Sequence, residues 1–409
     1  MKRVVVTGFG VVSPLGLTAE ESWQGIIAGN SGVGPITLFD TTDFPIRIAA
    51  EVKNFQPENF LDRKEVRRQD RFELLAGVAA MEAFKHSGLE LSEEMGLRTG
   101  VAVSSGIGGM DTILDQTYTL FNEGPRKLSP FAIPRIMSNG AAGMISIQHK
   151  LRGPSFSVAS ACASASDGIG MAVLLLRAGI VDIMVAGGSE ASISPLAIGG
   201  FHRVGGYSER TEATPRPFSA DRDGLIMGEG AAILILETLD HARKRKADIL
   251  AEIIGYGISA DAYHVTAPTE DGSGSALAIR RAMEDAKIGP EEIDYINAHG
   301  TGTPLNDASE SLAIKLALGE HAYQVPVSST KSMTGHMMGA TGALEAVFCV
   351  QAIRDGIAPP TINYTGKDEI CDLDYVPNQA REMPIKVAMS NAFGFGGHNS
   401  VLIMRAFED

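Results

Sequence analysis

Cysteine is scarce in this 409-residue chain, with three residues, an odd number. That argues against a disulfide framework and for a reducing compartment, so a cytoplasmic setting is expected. No stretch of about 18 apolar residues occurs, which argues against a membrane-spanning helix. The opening MKRVVVTGFGVV places a basic pair before an apolar run, but the Thr-Gly-Phe-Gly interruption and the Ser-Pro that follows fit a first strand and turn better than a leader. An excess of positive charge is also lacking. At a net charge of −14 the chain repels acidic partners at long range, and no nucleic-acid partner is expected. Nine histidines include no H-E-x-x-H and no Cys/His pairing, so no metal is expected. Gly8-Phe9-Gly10 follows a strand, yet position 13 is Ser and no acidic partner ends the next strand, which argues against a dinucleotide site. Ser328 and Lys331 spell S-x-x-K without the companion motifs of that class.

What is present is a core-forming composition, with 44% hydrophobic and 21% charged residues, enough for two or three units of about 150 residues. Strand patterns at 4–7, 101–103, 156–158, 183–186 and 231–236, with a helix over 72–86, make a first α/β half. A second half has strands at 252–256, 293–296, 325–327, 386–389 and 401–404 and helices over 275–286 and 343–353. The division predicts halves at 1–249 and 250–409, and the alternation predicts mainly parallel sheets covered by helices. Sequence repetition between the halves is weak.

Cys162 lies in SFSVASACASASDGIGMAVLLLRAG, where strand residues Phe156 and Val158 give way to small residues and then to a helical pattern from Asp167. Unpaired N–H groups and the positive dipole end at such a helix start predict a thiol pKa lowered toward neutrality. Two histidines answer it from the second half. His299 follows a short strand in EEIDYINAHGTGTPLND, and His336 follows another in VPVSSTKSMTGHMMGATGALEAVF, each before a Gly/Thr loop. A helix-start Cys with two strand-end histidines fits a nucleophile and its proton-handling groups.

The chain resembles the β-ketoacyl-acyl-carrier-protein synthases, and within them the synthase II group of fatty-acid elongation. The resemblance rests on RVVVTGFGVVSPLG, PRPFSADRDGLIMGEGA, the Cys162 segment, AHGTGTPLND, KSMTGHMMGATG and SNAFGFGGHNS, all in family order. It implies a thiolase-like fold of two pseudo-symmetric halves in five α-β-α-β-α layers, with Cys162 of one half facing His299 and His336 of the other. It further implies a homodimer with no cofactor of its own, the phosphopantetheine arriving on acyl carrier protein. The implied reaction is a decarboxylative Claisen condensation. Relatives without the nucleophile act as non-catalytic chain-length factors, and others serve polyketide or specialised acyl pathways.

By the same resemblance, Lys331 and Glu345 are an active-site ion pair, and Thr301 and Thr303 hydrogen-bond the pantetheine arm. Phe395 is a gate, with backbone N–H groups of Cys162 and Phe395 forming an oxyanion hole. Ile107 and Phe201 line the acyl pocket, and Ala132 stands where relatives often carry a bulkier aromatic. Some relatives hold a cation near positions matching Glu345, Ser390 and Asn391. The helical run DRKEVRRQDRF is expected to set Arg63, Arg67 and Arg71 on one face. Resemblance favours Lys64, Arg67, Arg68, Arg126 and Lys127 as contacts for an acidic carrier helix. Gly205 stands where relatives carry an arginine, with Arg203 close by.

Overall fold

The structure, a computed structural model, describes residues 2–408. Among them no helix is long and apolar enough to cross a membrane. The first half contributes strands β1 (Val4–Val12), β2 (Thr99–Ser104), β3 (Ser155–Phe156), β4 (Ile183–Glu190) and β5 (Gly230–Thr238). The second contributes β6 (Ala251–Ala260), β7 (Tyr295–Asn297), β8 (Val327–Ser328), β9 (Val387–Gly394) and β10 (His398–Arg405). All belong to one ten-stranded sheet ordered β8-β7-β9-β10-β6-β1-β5-β4-β2-β3. The join is narrow, since β1 meets β6 only at Val5 with Glu252 and Val6 with Ala251.

Outward from that join both halves repeat one order: first strand, fifth, fourth, second, third. Directions repeat as well. The fifth strand pairs antiparallel with both the first and the fourth, and the fourth, second and third are mutually parallel. The sheet is therefore mixed, which corrects the expectation of a mainly parallel one. The reason is the fifth strand of each half, which returns between the first and fourth. In the second half β10 does so directly from β9 across the Gly396-Gly397 turn, where both residues have positive φ.

Alternation along the strands assigns the layers. In β5, Ala231, Ile233 and Ile235 join an outer cluster with helices α1 (Arg71–Ser87) and α2 (Gly140–His149). Ala232, Leu234 and Leu236 point the other way, into a central cluster built around α3 (Ser164–Arg177) and α6 (Thr341–Asp355). In β10, Leu402 and Met404 face that same central cluster. Val401 and Ile403 face α4 (Ser273–Ala286) and α5 (Pro304–Leu318). Five layers result. α6 is buried on every side from Thr341 to Ile353, and Leu344, Val347, Phe348 and Val350 each contribute about 1.5–3 kcal/mol by burial.

The Gly8-Phe9-Gly10 motif has a packing explanation. Asp70 and Glu73 form a capping box that starts α1, and the helix then lies directly on β1. A Cβ on Gly10 would stand 2.1 Å from the Ala79 carbonyl oxygen, and one on Gly257 in β6 would stand 2.2 Å from that of Ala278 in α4. Both contacts are with backbone, which cannot swing aside. Gly10→Ala is therefore expected to destabilise the protein by about 1–3 kcal/mol. The check is a lowered midpoint of denaturant unfolding at unchanged slope.

Candidate active site

The Cys162 segment differs from the pattern its sequence suggests. Only Ser155 and Phe156 form a strand; Val158 lies beyond it, and Cys162 sits in a 3-10 turn (Ala161–Ala163) ahead of α3, which begins at Ser164. Ala161 takes φ of 52°, a left-handed conformation unusual for a residue with a side chain. Ser164 holds the turn: its hydroxyl donates to the Ala161 carbonyl at 2.6 Å and accepts the Ser160 N–H at 3.0 Å. The Ser160 hydroxyl donates to Asp167, which also accepts from Tyr256 of β6, so the loop is tied to both halves. Gly394 is obligatory beside it, since a Cβ there would lie 2.8 Å from the Ser160 carbonyl oxygen and 3.0 Å from the Cys162 nitrogen.

His299 stands two residues past β7. Its backbone N–H and that of Gly300 both donate to Glu310 of α5, at 2.8 and 2.7 Å, and Asn391 donates to the same carboxylate. Thr303 caps α5, and its hydroxyl lies 2.9 Å from that of Thr301. His336 follows Gly335, whose φ is positive. Its backbone N–H donates to Ile226 at 2.7 Å and its carbonyl accepts from Gly228, so the first half's DGLIMGEG segment carries the second half's histidine. Its ring Nδ1 lies 3.0 Å from the hydroxyl of Thr341, the first residue of α6.

These elements bring the Cys162 sulfur and a ring nitrogen of each histidine within 4.8 Å of one another. The imidazoles meet edge to face, centroids 5.3 Å apart. His299 Nδ1 and His336 Nε2 are buried without a hydrogen-bond partner, as expected of groups waiting for a substrate. Lys331 is fully buried, its ammonium 2.6 Å from Glu345. Burial pushes Glu345 and Glu310 up to about 7, opposed at Glu345 by the Lys331 charge. Burial and then the Lys331 charge hold both imidazoles well below the usual histidine range, so both are neutral at neutral pH.

The thiol departs from expectation. Burial pushes Cys162 up to about 11, against the pull of Lys331 and of the Phe395 and Cys162 backbone N–H groups that face the sulfur. Desolvation of a thiolate outweighs the helix start here, so the resting group is a neutral thiol. The Cys/His/His trio, invisible as a pairing in sequence, is also a donor set for a soft cation, but the Lys331 charge opposes one. Glu345 Oε2, Ser390 Oγ and Asn391 Oδ1 are buried without a hydrogen-bond partner.

A cavity of about 250 Å³ opens onto the trio. Phe201, Thr301, Thr303, Phe393 and Phe395 line it, and Phe201 stacks on Phe395 with centroids 5.7 Å apart. Gly205 also lines it, whereas Arg203 is exposed. Ile107 does not line it, and stands in the loop after β2 with its N–H directed at Glu190. Ala132 is buried at the start of a short helix, beside exposed Phe131 and Ile133. The basic run is corrected: its helix covers only Arg63–Val66, and Arg71 turns inward to pair with fully buried Glu229 at 2.6 Å. Lys64, Arg67 and Arg68 are exposed, as are Arg126 and Lys127 in the Pro125–Lys127 turn. Arg68 lies over the Phe131 ring and near Glu65. Sequence reading missed Glu310 and Thr341. The signal for Glu310 was its i,i+3 spacing from Asp307, which sets two acids on one face of a helix starting beside His299.

Residues 1–242 match the model of the β-ketoacyl synthase N-terminal domain, and residues 250–365 that of its C-terminal domain. The chain belongs to the β-ketoacyl synthase family. It is 51% identical to "3-oxoacyl-[acyl-carrier-protein] synthase 2" of Coxiella burnetii, over 100% of this chain and 99% of that one. Identity to the protein of the same name from Synechocystis is 47%, with the same coverage. Among solved structures, a type II polyketide ketosynthase in complex with its acyl-carrier protein and bound to a hexaketide matches with a TM-score of 0.92. Its identity is 37% over 100% of both chains. As a β-ketoacyl synthase the protein is an acyl-transferring condensing enzyme with the thiolase-like fold.

The elevated thiol makes a testable statement. The rate of Cys162 alkylation by iodoacetamide is expected to keep rising above pH 9, with half its limit near pH 11, because thiolate forms only there. A plateau near pH 7 would show that the helix start prevails over burial.

Proposed function

We propose that this enzyme elongates acyl chains held on acyl carrier protein, with Cys162 as nucleophile and His299 and His336 as the decarboxylation pair. The observation that carries the reading is the buried convergence of one thiol and two neutral imidazoles, each with a ring nitrogen left unpartnered, at the end of a cavity. In the loading step the Cys162 sulfur attacks the acyl thioester carbonyl. The thiol proton passes through a neutral imidazole to the departing pantetheine thiolate, leaving acyl-Cys162. The carbonyl oxygen develops its charge against the N–H groups of Cys162 and Phe395.

Malonyl-acyl carrier protein then occupies the cavity with its pantetheine arm between Thr301 and Thr303. The bond to the carboxylate breaks, CO2 leaves, and the electron pair becomes an enolate whose oxygen faces the two imidazoles. With Thr341 donating to His336 Nδ1, the Nε2 proton points at that oxygen. The enolate carbon attacks acyl-Cys162, the Cys162 sulfur departs as thiolate and takes a proton from solvent, and a 3-oxoacyl product two carbons longer remains on the carrier. Phe395, stacked on Phe201 across the cavity, acts as the gate between loading and condensation. Burial and the Lys331 charge keep both histidines neutral, and Glu345 holds the Lys331 ammonium in place. No cofactor is required, since phosphopantetheine belongs to the substrate.

Carrier docking is assigned to Lys64, Arg67, Arg68, Arg126 and Lys127. Lys64, Arg67, Arg126 and Lys127 form no ion pair among the described residues, which leaves them free for an acidic helix despite the chain's net charge. A homodimer in the cytoplasm is the working assembly, in keeping with three free cysteines. Fatty-acid elongation is favoured over a polyketide role by full-length relatives near half identity that carry the synthase 2 name.

Two experiments test this. With acyl- and malonyl-acyl carrier protein, wild type is expected to give 3-oxoacyl product and CO2, whereas Cys162→Gln loses condensation and keeps decarboxylation. Absence of product at every chain length would overturn the elongation reading. Charge reversal at Arg67 and Arg68 is expected to raise KM for acyl carrier protein about tenfold with kcat little changed. Wild-type affinity should fall steeply with added salt. A salt-independent KM would remove the patch from the docking site.

A further inference from the structure

Glu190 ends β4, is fully buried, and has only neutral donors around it. Its Oε1 accepts the Ser105 hydroxyl at 2.8 Å and the Ile107 N–H at 3.4 Å; its Oε2 accepts the N–H of Gly106 at 2.8 Å and of Gly339 at 3.1 Å. All four partners donate, two to each oxygen. Burial pushes Glu190 above the usual carboxylate range, and the four donors pull against it toward the carboxylate, the form that accepts from all of them at once. Buried charge without a cation is retained only where several hydrogen bonds replace water.

The carboxylate sits at a three-way junction. A Cβ on Gly339 would stand 2.2 Å from the Gly106 nitrogen and 2.7 Å from Glu190 Oε2. One on Gly106 would stand 3.0 Å from Glu190 Oε2 and 3.3 Å from the carbonyl oxygen of Ala161. The loop leading to Ile107, the residue before Cys162 and the turn three residues past His336 therefore meet here with no spare room. Gly339 belongs to the second half and Gly106 to the first. Among the described residues Glu190 is the one side chain that bonds to both, across the interface on which the site is built.

We propose that Glu190 is a positioning residue that clamps the His336 turn and the Ile107 loop against the Cys162 turn, setting the distance between nucleophile and decarboxylation pair. The proposal rests on the condensing reading above for its consequence, and on the four hydrogen bonds for its cause. Its charge also bears on the nucleophile, since Glu190 opposes thiolate formation at Cys162 while Lys331 favours it.

The test uses full-length Glu190→Gln, whose amide N–H2 would oppose the two donors that reach the oxygen it replaces. Condensation is expected to fall about 10- to 100-fold through mispositioning. At the same time Cys162 alkylation becomes faster at pH 8, its profile moving to lower pH by about one unit as the negative charge is removed. A slower reaction on a more reactive thiol is a pattern that simple loss of folded protein does not give. Glu190→Asp keeps the charge but shortens the reach, so it should slow condensation and leave the alkylation profile in place. Where Glu190→Gln fails to fold, Ser105→Ala, which removes one of the four bonds, is expected to slow condensation about threefold. Wild-type condensation in the folded Gln variant, an unmoved alkylation profile there, or wild-type rates in Ser105→Ala would overturn the proposal. If the wild-type protein forms no 3-oxoacyl product, the condensing reading fails, while the alkylation profiles still decide what Glu190 does to Cys162.

Discussion

The site depends on the close approach of two helices buried between the half-sheets. A Cβ on Gly342, in the first turn of α6, would lie 2.1 Å from the Ser166 hydroxyl in the first turn of α3. A Cβ on Gly188 of β4 would lie 2.6 Å from that of Ala165. Small residues at these crossings let two helix starts from opposite halves come together. One start presents Cys162 in the turn ahead of it. The other presents Thr341, which orients His336. Bulkier residues at the crossing would separate nucleophile from base whatever else was conserved in the loops.

Burying the helix starts also sets the electrostatics. Away from water, a charge survives only where donors or an opposite charge replace hydration. Lys331 has Glu345, and Glu190 has four donors. Cys162 has the Lys331 charge and two backbone N–H groups, which do not suffice, so it rests as a thiol. The histidines stay neutral for the same reason. A neutral pair of imidazoles is suited to hydrogen-bonding an enolate oxygen without protonating its carbon. In the proposed reaction, exclusion of water therefore bears on both half-reactions: it makes the Cys162 thiol reluctant and suits the neutral imidazoles to an enolate.

Much of the fold was legible because strands and helices carry local periodicity. The helix expected over 72–86 runs over 71–87, and that over 275–286 over 273–286. Pairing direction was not legible, because nothing in residues 231–236 or 401–404 says that each strand returns antiparallel between two earlier ones. The Arg63, Arg67, Arg71 face failed for a related reason: a helical spacing was read across Gln69-Asp70, where Asp70 caps a new helix and Glu229 draws Arg71 inward.

The sequence by itself determined the chemistry available: a cysteine at a helix start, two histidines at strand ends, and small residues around them, since those are properties of residue type and local spacing. Tertiary structure alone decided their protonation, their mutual distance and their supports. Glu310 under His299, Glu190 under the Gly339 turn and the inward Lys331 are set by contacts 11, 149 and 14 residues apart in sequence, which only the folded chain makes. Protonation in turn follows from how much water those contacts exclude, which no local pattern encodes.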